Sequence, residues 1–292
     1  IIRFLYAFSP LFSDRIYLRL LFSLKVGYKL DLENPKSYNE KLQWLKLYYR
    51  DPLSAKLVDK FEYKEYVKKK LGREYVVTNY GIWNSVDEIE FNKLPSQFVL
   101  KTTHDQGGVV ICKDKSSFNF KKAKRKLNKH LKRNLFYLFR EWPYKKIKPR
   151  IIAEKYLSEE GSLKDYKFYC FQGEPKVMYI SSGRETDVTC LDFYDMDFNY
   201  LDIKRPKYKQ LGDVIEKPQN WDVMIEMAKI MSVGQPHARI DFYNYNGKVL
   251  FGEYTLFQGG GFMPFYPKKW DYLLGSWIDL KSVKQCNTMV KS

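Results

Sequence analysis

The stretch ARIDFYNYNGKVLFGEYTLFQGGG, Ala238 to Gly261, holds two β-rich runs on either side of Asn246-Gly247. Asn-Gly between alternating apolar residues is a strong hairpin signal. Each arm carries a carboxylate, Asp241 in the first and Glu253 in the second. Such groups are rarely buried without a partner. Side chains alternate faces along a strand, so Arg239 shares a face with Asp241, and Glu253 with Thr255. The turn then decides the chemistry. A two-residue Asn246-Gly247 loop pairs Asp241 with Gly252 and Glu253 with Ile240, which puts the acids on opposite faces. A three-residue Tyr245-Asn246-Gly247 loop, with Gly247 left-handed, sets Asp241 opposite Phe251 and Glu253 opposite Arg239. Both acids, Arg239 and Thr255 then share one face. We expect the three-residue loop, with a bulge elsewhere as the other route to that arrangement. Carboxylates that leave room for phosphate oxygens suit Mg²⁺. Gly259, Gly260 and Gly261 let the backbone approach a substrate closely.

The rest of the chain sets bounds on this reading. Its 292 residues allow one large or two modest domains, and 45% hydrophobic content supplies a core. The apolar N-terminal stretch is interrupted by Arg3, Asp14, Arg15 and Arg19 and lacks a cleavage pattern, so neither a membrane span nor a signal peptide is expected. Cys112, Cys170, Cys190 and Cys286 are scattered without metal-ligand spacing, which fits reduced thiols in the cytosol. The net charge of +17 predicts an anionic partner. The densest basic run, KKAKRKLNKHLKRN from Lys121 to Asn134, reads with Leu127, Leu131, Leu135 and Leu138 as an amphipathic helix. Its basic face is that of a solvated helix. No nucleic-acid motif accompanies it, so no nucleic-acid partner is expected.

Helices are expected over 36–71, with Ser37 and Glu40 as a capping box, a break at Pro52 and a stop at Gly72. YVVTNYGIW, FVLKTT, GGVVICKD and RIIAEKYL read as strands. DYKFYCFQGEPKVMYISS reads as two strands around a turn at Gly173 to Pro175. Helices are expected at WDVMIEMAKIMS and near Trp270 to Leu280. The fold class is α+β, with strands in clusters separated by helices.

Lys101 ends an apolar strand beside a polar loop holding Gly107 and Gly108. An ammonium with glycine N–H groups beside it suits phosphate oxygens, although the same residues describe a surface hairpin whose glycines serve only the turn. Glu154, Lys155, Tyr156 and Leu157 leave a strand where backbone groups can meet an adenine edge. Asp165 can accept from ribose hydroxyls. These residues equally describe a plain strand and a solvated acidic turn.

Taken in order, Asp59-Lys60, FVLK with its Gly-Gly loop, IIAEKYL, and ARIDFYNYNGKVLFGEYT followed by glycines resemble the ATP-grasp superfamily. The likeness is nearest to the TupA-like ATP-grasp family of polysaccharide gene clusters, often labelled glycosyltransferase. PKSYNEKLQWLKLYYRDPL, YKFYCFQGEPK and REWPYKKIKPRIIAEKYL share it, so it spans residues 30–280 or so. The resemblance implies two α+β subdomains clasping ATP. It suggests a helical N-terminal region over 1–72, an N-terminal and lid subdomain over 73–153, and a C-terminal subdomain with the metal site over 154–292. It implies that Lys60 and Lys101 contact phosphate and that the loop from Thr102 through Thr103 and His104 to Gly108 covers it. Glu154, Lys155 and Leu157, with Tyr156, match the adenine hinge. Asp165 matches the ribose acid, with Glu159 or Glu160 as alternatives. Asp241 and Glu253 match magnesium ligands, and Arg239 matches an oxyanion-stabilising arginine. Thr255 stands where many members have asparagine, and a hydroxyl is a poorer metal ligand than an amide oxygen.

The implied reaction is carboxylate–amine ligation through an acylphosphate, with ATP and Mg²⁺, in bacterial capsular or cell-wall polysaccharide biosynthesis. The implied partners are an acidic or lipid-linked saccharide and an amine such as an amino acid, or a polyglutamate chain. The setting is the cytoplasm, with peripheral contact at the anionic inner membrane face. Two alternatives stay open. One is a glycosyltransferase whose D-x-D motif is Asp195 and Asp197. The other is a kinase of the same machinery with Asp105 or His104 as base.

Overall fold

The computed structural model describes residues 2–157, 163–183, 189–206, 208–212 and 215–283. The chain opens on α1 (Ile2–Ala7) and α2 (Asp14–Val26). The Ser13 hydroxyl caps α2 by accepting from the Ile16 N–H, and Gly27 ends it at φ 91°. Tyr17, Leu18, Leu21 and Phe22 on its inner face are buried in the core. The expected capping box starts α3 (Tyr38–Tyr48). The Ser37 hydroxyl accepts from the Glu40 N–H at 3.2 Å, and the Glu40 carboxylate accepts from the Ser37 N–H at 2.9 Å. After Pro52 come α4 (Ser54–Val58) and α5 (Glu62–Lys70). Asp59 begins the latter by accepting from the Phe61 and Glu62 N–H groups.

The strands β1 (Asn79–Trp83), β2 (Phe98–Thr102) and β3 (Val109–Cys112) are followed by α6 (Phe120–Leu131), α7 (Leu135–Phe139) and β4 (Ile151–Lys155). These strands form an antiparallel sheet in the order β1-β4-β2-β3. Phe98, Leu100, Ile151 and Ala153 pack with Leu127 of α6 into a core of their own. The basic run does not continue as one helix through Leu138. Asn134 interrupts it because its side chain accepts from the Phe136 N–H and caps a separate short helix.

The second sheet comprises β5 (Asp165–Phe171), β6 (Glu174–Ser182), β7 (Cys190–Tyr194) and β8 (Tyr200–Leu201). Helix α8 (Trp221–Ser232) intervenes before β9 (His237–Tyr245) and β10 (Lys248–Thr255), and α9 (Lys269–Ser276) follows. The order is β10-β9-β5-β6-β7-β8, with every neighbour antiparallel. One face presents Phe168, Ile180, Ile240 and Phe242 to the core that α8 closes with Trp221, Met224 and Met227. The turn between β5 and β6 falls at Gln172-Gly173, with φ 50° and 87°. Pro175 is already inside β6.

The β9–β10 hairpin corrects the expected register. Its loop is the two-residue Asn246-Gly247, with φ 49° and 72° and Lys248 opposite Tyr245. A bulge at Gly252 then shifts the ladder by one residue. Phe251 faces Phe242, yet Glu253 faces Asp241 and Thr255 faces Arg239. The four polar residues therefore share a face by the second route, through an extra glycine in the strand and not a longer turn.

Among the described residues no helix is long and apolar enough to cross a membrane. Cys112, Cys170 and Cys190 are buried and free, and Cys286 lies outside the described residues.

Candidate active site

The polar face of the second sheet is built by cross-strand pairs. Lys167 lies opposite Asp241 on one side and Tyr179 on the other, and Asp165 lies opposite Ser181. Together with Lys60, Lys101 and Glu154 they line a cavity of about 590 Å³. The Asp241 carboxylate is gripped from two sides. Arg239 donates to it through Nε at 2.6 Å and a terminal nitrogen at 2.7 Å, and Lys167 donates from β5. Lys167 also pairs with Asp165 at 2.8 Å. Arg239 continues to Thr255 Oγ1 at 3.0 Å and to Glu253 at 3.5 Å. Glu253 meets Lys60 at 3.6 Å. Burial would raise the Glu253 carboxyl, but Lys60 and Arg239 more than offset it and hold it below its ordinary value. Two acids directly across a ladder repel one another. Here the interleaved cations make the arrangement tenable.

No group of three or more His, Cys, Asp and Glu among the described residues is arranged to hold a metal ion. Asp241, Glu253 and the Thr255 hydroxyl nonetheless present hard oxygens on one face. That donor set fits Mg²⁺, which commonly takes one or two carboxylates and completes its shell with phosphate oxygens and water.

Asp59 and Thr103 aim Lys60. Asp59 turns the chain at the start of α5, and the Lys60 N–H donates to the Thr103 carbonyl at 3.0 Å. The Lys60 ammonium donates to the Asp105 carbonyl at 2.7 Å. Lys101 is set by Glu154, which pairs with it at 2.6 Å and with Lys64 of α5 at 2.5 Å. Burial alone would raise the Glu154 carboxyl, yet the two ammoniums hold it at about 2. Glu154 is thus a buried counter-ion that fixes a cavity lysine. The neighbouring Lys155, Tyr156 and Leu157 also line the cavity, and the Lys155 N–H donates to the Thr78 carbonyl at 2.9 Å. Asp165 lies on the same sheet face, whereas Glu159 and Glu160 lie outside the described residues.

In the glycine loop, Gln106 and Gly107 line the cavity. Thr102, Thr103 and His104 are buried behind it and are not among its lining residues. The Asp105 carboxylate is taken by His130 and Arg133, which ties the loop to α6. His104 meets the Arg133 carbonyl at 3.1 Å. Neither residue is presented to the cavity as a base. Gly108 is needed for close approach, since a Cβ there would overlap Thr102 Oγ1. Of the triple glycine, Gly259 lines the cavity. Gly260 and Gly261 are docked on α3. The Gly261 carbonyl accepts from Gln43 at 2.6 Å, and that of Gly260 accepts from Lys46 at 2.5 Å. Asp195 of the D-x-D pattern caps its own turn by accepting from the Asp197 and Asn199 N–H groups, and neither acid lines the cavity.

Lys64, which pairs with Glu154, and the cavity-lining Lys167, Tyr179, Arg205 and Gln258 went unread in the sequence. Lys167 had a signal, being a lysine centred among aromatics in the strand DYKFYCF.

A family model described as TupA-like ATPgrasp matches residues 40–279. No curated protein matches the sequence. Among solved structures, the L-amino acid ligase from Bacillus licheniformis is similar at 13% identity and TM-score 0.47, over 85% of this chain and 56% of that one. The D-alanine–D-alanine ligase from Bacillus anthracis is similar at 15% identity and TM-score 0.44, over 83% of this chain and 75% of that one. The N5-carboxyaminoimidazole synthetase from Staphylococcus aureus is similar at 14% identity and TM-score 0.39, over 83% of this chain and 50% of that one. The chain therefore spans about half the length of the first and third of these enzymes.

Proposed function

Because this chain belongs to the TupA-like ATP-grasp family, we propose that its cavity takes ATP and that the protein joins a carboxylate to an amine. The observation that carries this reading is the cation set around the hairpin acids. Lys60, Lys101, Lys167 and Arg239 surround Asp241, Glu253 and Glu154 on the cavity wall. Such a set is suited to a polyanion whose charge shifts during reaction, because phosphoryl transfer depends mainly on positioning and charge neutralisation.

In this reading Lys60 and Lys101 hold phosphate oxygens, with Gly107 and Gly108 at the loop over them. Lys155, Tyr156 and Leu157 flank the base, and Asp165 lies near the ribose. A substrate carboxylate oxygen attacks the γ-phosphorus. The bond to the bridging oxygen breaks, ADP leaves and an acylphosphate remains. The amine then attacks the acyl carbon, inorganic phosphate departs and the nitrogen loses a proton. Arg239 stabilises the oxyanion formed in that addition. Asp241 and Glu253, with Thr255, would hold Mg²⁺, which when bound neutralises phosphate charge. Gly259 lies beside the acceptor, with Gly260 and Gly261 shaping the turn that presents it.

The acceptor we propose is a carboxyl-bearing sugar of a capsular or cell-wall polysaccharide, free or lipid-linked, and the amine an amino acid. Polyglutamate extension is the other substrate pair. The net charge of +17 suits an acidic acceptor and a cytoplasmic site at an anionic membrane face. The division of the chain at 72/73 and 153/154 belongs to the same proposal.

Trapping with hydroxylamine tests the reaction without knowledge of the amine. The protein is given ATP, Mg²⁺, hydroxylamine and, in turn, D-glucuronate, D-galacturonate, N-acetylmuramate and L-glutamate. The expected product is the hydroxamate of one of them, with ADP and phosphate in equal amounts. Release of UDP from UDP-sugars in parallel, with no ADP, refutes the ligase reading, and ADP formation with a stable phosphate ester makes the protein a kinase.

A further inference from the structure

We propose that Arg205 and Gln258 form the amine-substrate site, and that this substrate is an amino acid whose carboxylate pairs with Arg205. The inference rests on the ligase reading above and adds the residues that would select the amino acid proposed there as the amine.

Arg205 is 4% exposed and lines the cavity. The other buried arginines among the described residues each hold a carboxylate: Arg140 pairs with Asp14 at 2.7 Å and Arg239 with Asp241. Arg205 has none. Its guanidinium lies 3.6 Å over the Phe265 ring. It donates to the Met263 carbonyl at 2.7 Å and to the Tyr169 hydroxyl at 2.9 Å. Asp271 feels its charge but is bound by Asn39 at 2.9 Å and makes no ion pair with Arg205. A guanidinium carries five N–H donors and stays charged. Keeping one out of water without a counter-ion is costly. The ring beneath it and the two fixed acceptors hold its orientation, so the remaining donors are ready for an anion that enters the cavity. A carboxylate suits that fork because it accepts two parallel bonds.

Gln258 supplies the second half. It is 8% exposed and lines the same cavity, and its Oε1 has no hydrogen-bond partner. Its Nε2 donates to the Tyr179 hydroxyl at 3.4 Å, and Arg239 donates to that same hydroxyl at 3.4 Å. An orphaned amide oxygen calls for a donor. Gln258 is thus two hydrogen bonds from Arg239, and Arg205 lines the same cavity while bonded to Tyr169, the residue opposite Arg239 in the sheet. The acceptor carboxylate must sit at the phosphates, so the anion at Arg205 is a second one. A ligand that places N–H groups on Gln258 and a carboxylate on Arg205 is an amino acid, with its nitrogen nearer to Arg239.

Thermal stabilisation of the full chain reads this directly. The protein, with AMP-PNP and Mg²⁺, is screened against each of the twenty L-amino acids. The strongest responder is then compared with its carboxamide and with its deaminated acid. At least one amino acid is expected to stabilise, and both analogues to fall short. Arg205→Gln is expected to weaken that amino acid by about tenfold to a hundredfold, the loss of a charge-assisted bidentate pair. AMP-PNP binding is expected to stay within about twofold, since in the reading above Lys60 and Lys101, not Arg205, hold the phosphates. Arg205→Lys, which keeps the buried charge but loses the planar fork, guards against a folding defect and is expected to weaken binding as well. The proposal is overturned if no amino acid binds, if the carboxamide binds as well as the acid, or if either variant keeps full affinity. The amino-acid titration is repeated without nucleotide. Failure of AMP-PNP to bind counts against the ATP reading, whereas failure of the amino-acid arm counts against this proposal.

Discussion

Replacing Glu154 with glutamine removes the buried anion between Lys64 and Lys101, and its cost can be worked out in two ways. Glu154 is 2% exposed and bonded at 2.5 and 2.6 Å to the two ammoniums. Its carboxyl is held at about 2 against an ordinary 4.5. At 1.36 kcal/mol for each pH unit, that gap corresponds to about 3 kcal/mol of stability at neutral pH. Breaking a buried ion pair from one side costs about 3–5 kcal/mol, since the remaining charge is left uncompensated. The two routes agree. For a chain of 292 residues, about 3 kcal/mol corresponds to a fall in melting temperature of roughly 5 °C, at about 2.1 cal/mol/K of unfolding entropy per residue. The sign with pH follows from the folded carboxyl lying below the unfolded one. The contribution is complete above about 4.5 and is lost as pH falls through about 2. Melting curves of wild type and Glu154→Gln at pH 7, 4 and 2.5 should therefore differ most at pH 7 and converge on acidification. A variant that melts within about 2 °C of wild type at pH 7, about 1 kcal/mol or less, rules out a stabilising role for the Glu154 ion pairs.

His237 gives a separate acid limb. Burial holds its imidazole down at about 3, with Nδ1 facing the Cys170 carbonyl and Nε2 facing the Tyr38 hydroxyl, each at 2.9 Å. The unfolded chain protonates it first, so stability falls as pH drops below about 6.5. His237→Gln should flatten the denaturant-midpoint curve between pH 6.5 and 4.5, a window above that of Glu154. Gly108→Ala forces a Cβ into Thr102 Oγ1. It should displace the loop at a cost of about 1–3 kcal/mol and weaken AMP-PNP in a binding titration, while Gly247→Ala, outside the cavity lining, should leave that affinity unchanged.

How much of this was legible follows from which interactions are local. The capping box at Ser37 and Glu40 lies within four residues, and the sequence alone locates it. The hairpin acids stood out because carboxylates in an apolar strand conflict with the local pattern. Their shared face was legible too, but the device that achieves it was misassigned. Gly252 within a strand is itself a bulge signal, and it outweighed the longer turn. Lys64 was hidden because EYKEYVKKK reads as a solvated basic face. Its burial comes from Glu154, 90 residues along the chain, and no local pattern encodes that. Arg205 sits outside any periodic segment, and only the placement of Phe265, Met263 and Tyr169 shows that it is buried. The leucine spacing through Leu138 overran a real boundary because the Asn134 side chain competes for backbone N–H groups.

Calorimetric titration of AMP-PNP into the full chain, with and without Mg²⁺, shows whether the hairpin acids serve a nucleotide-bound metal when wild type is set beside Glu253→Gln. Glu253 is the more open of the two hairpin acids, with 36% of its side chain exposed, so its loss leaves the fold standing. Wild type is expected to bind AMP-PNP more tightly with Mg²⁺, and the variant to lose most of that difference. Binding of UDP-glucose with Mn²⁺ in place of AMP-PNP, or a Mg²⁺ dependence unchanged in Glu253→Gln, contradicts that role for the hairpin acids.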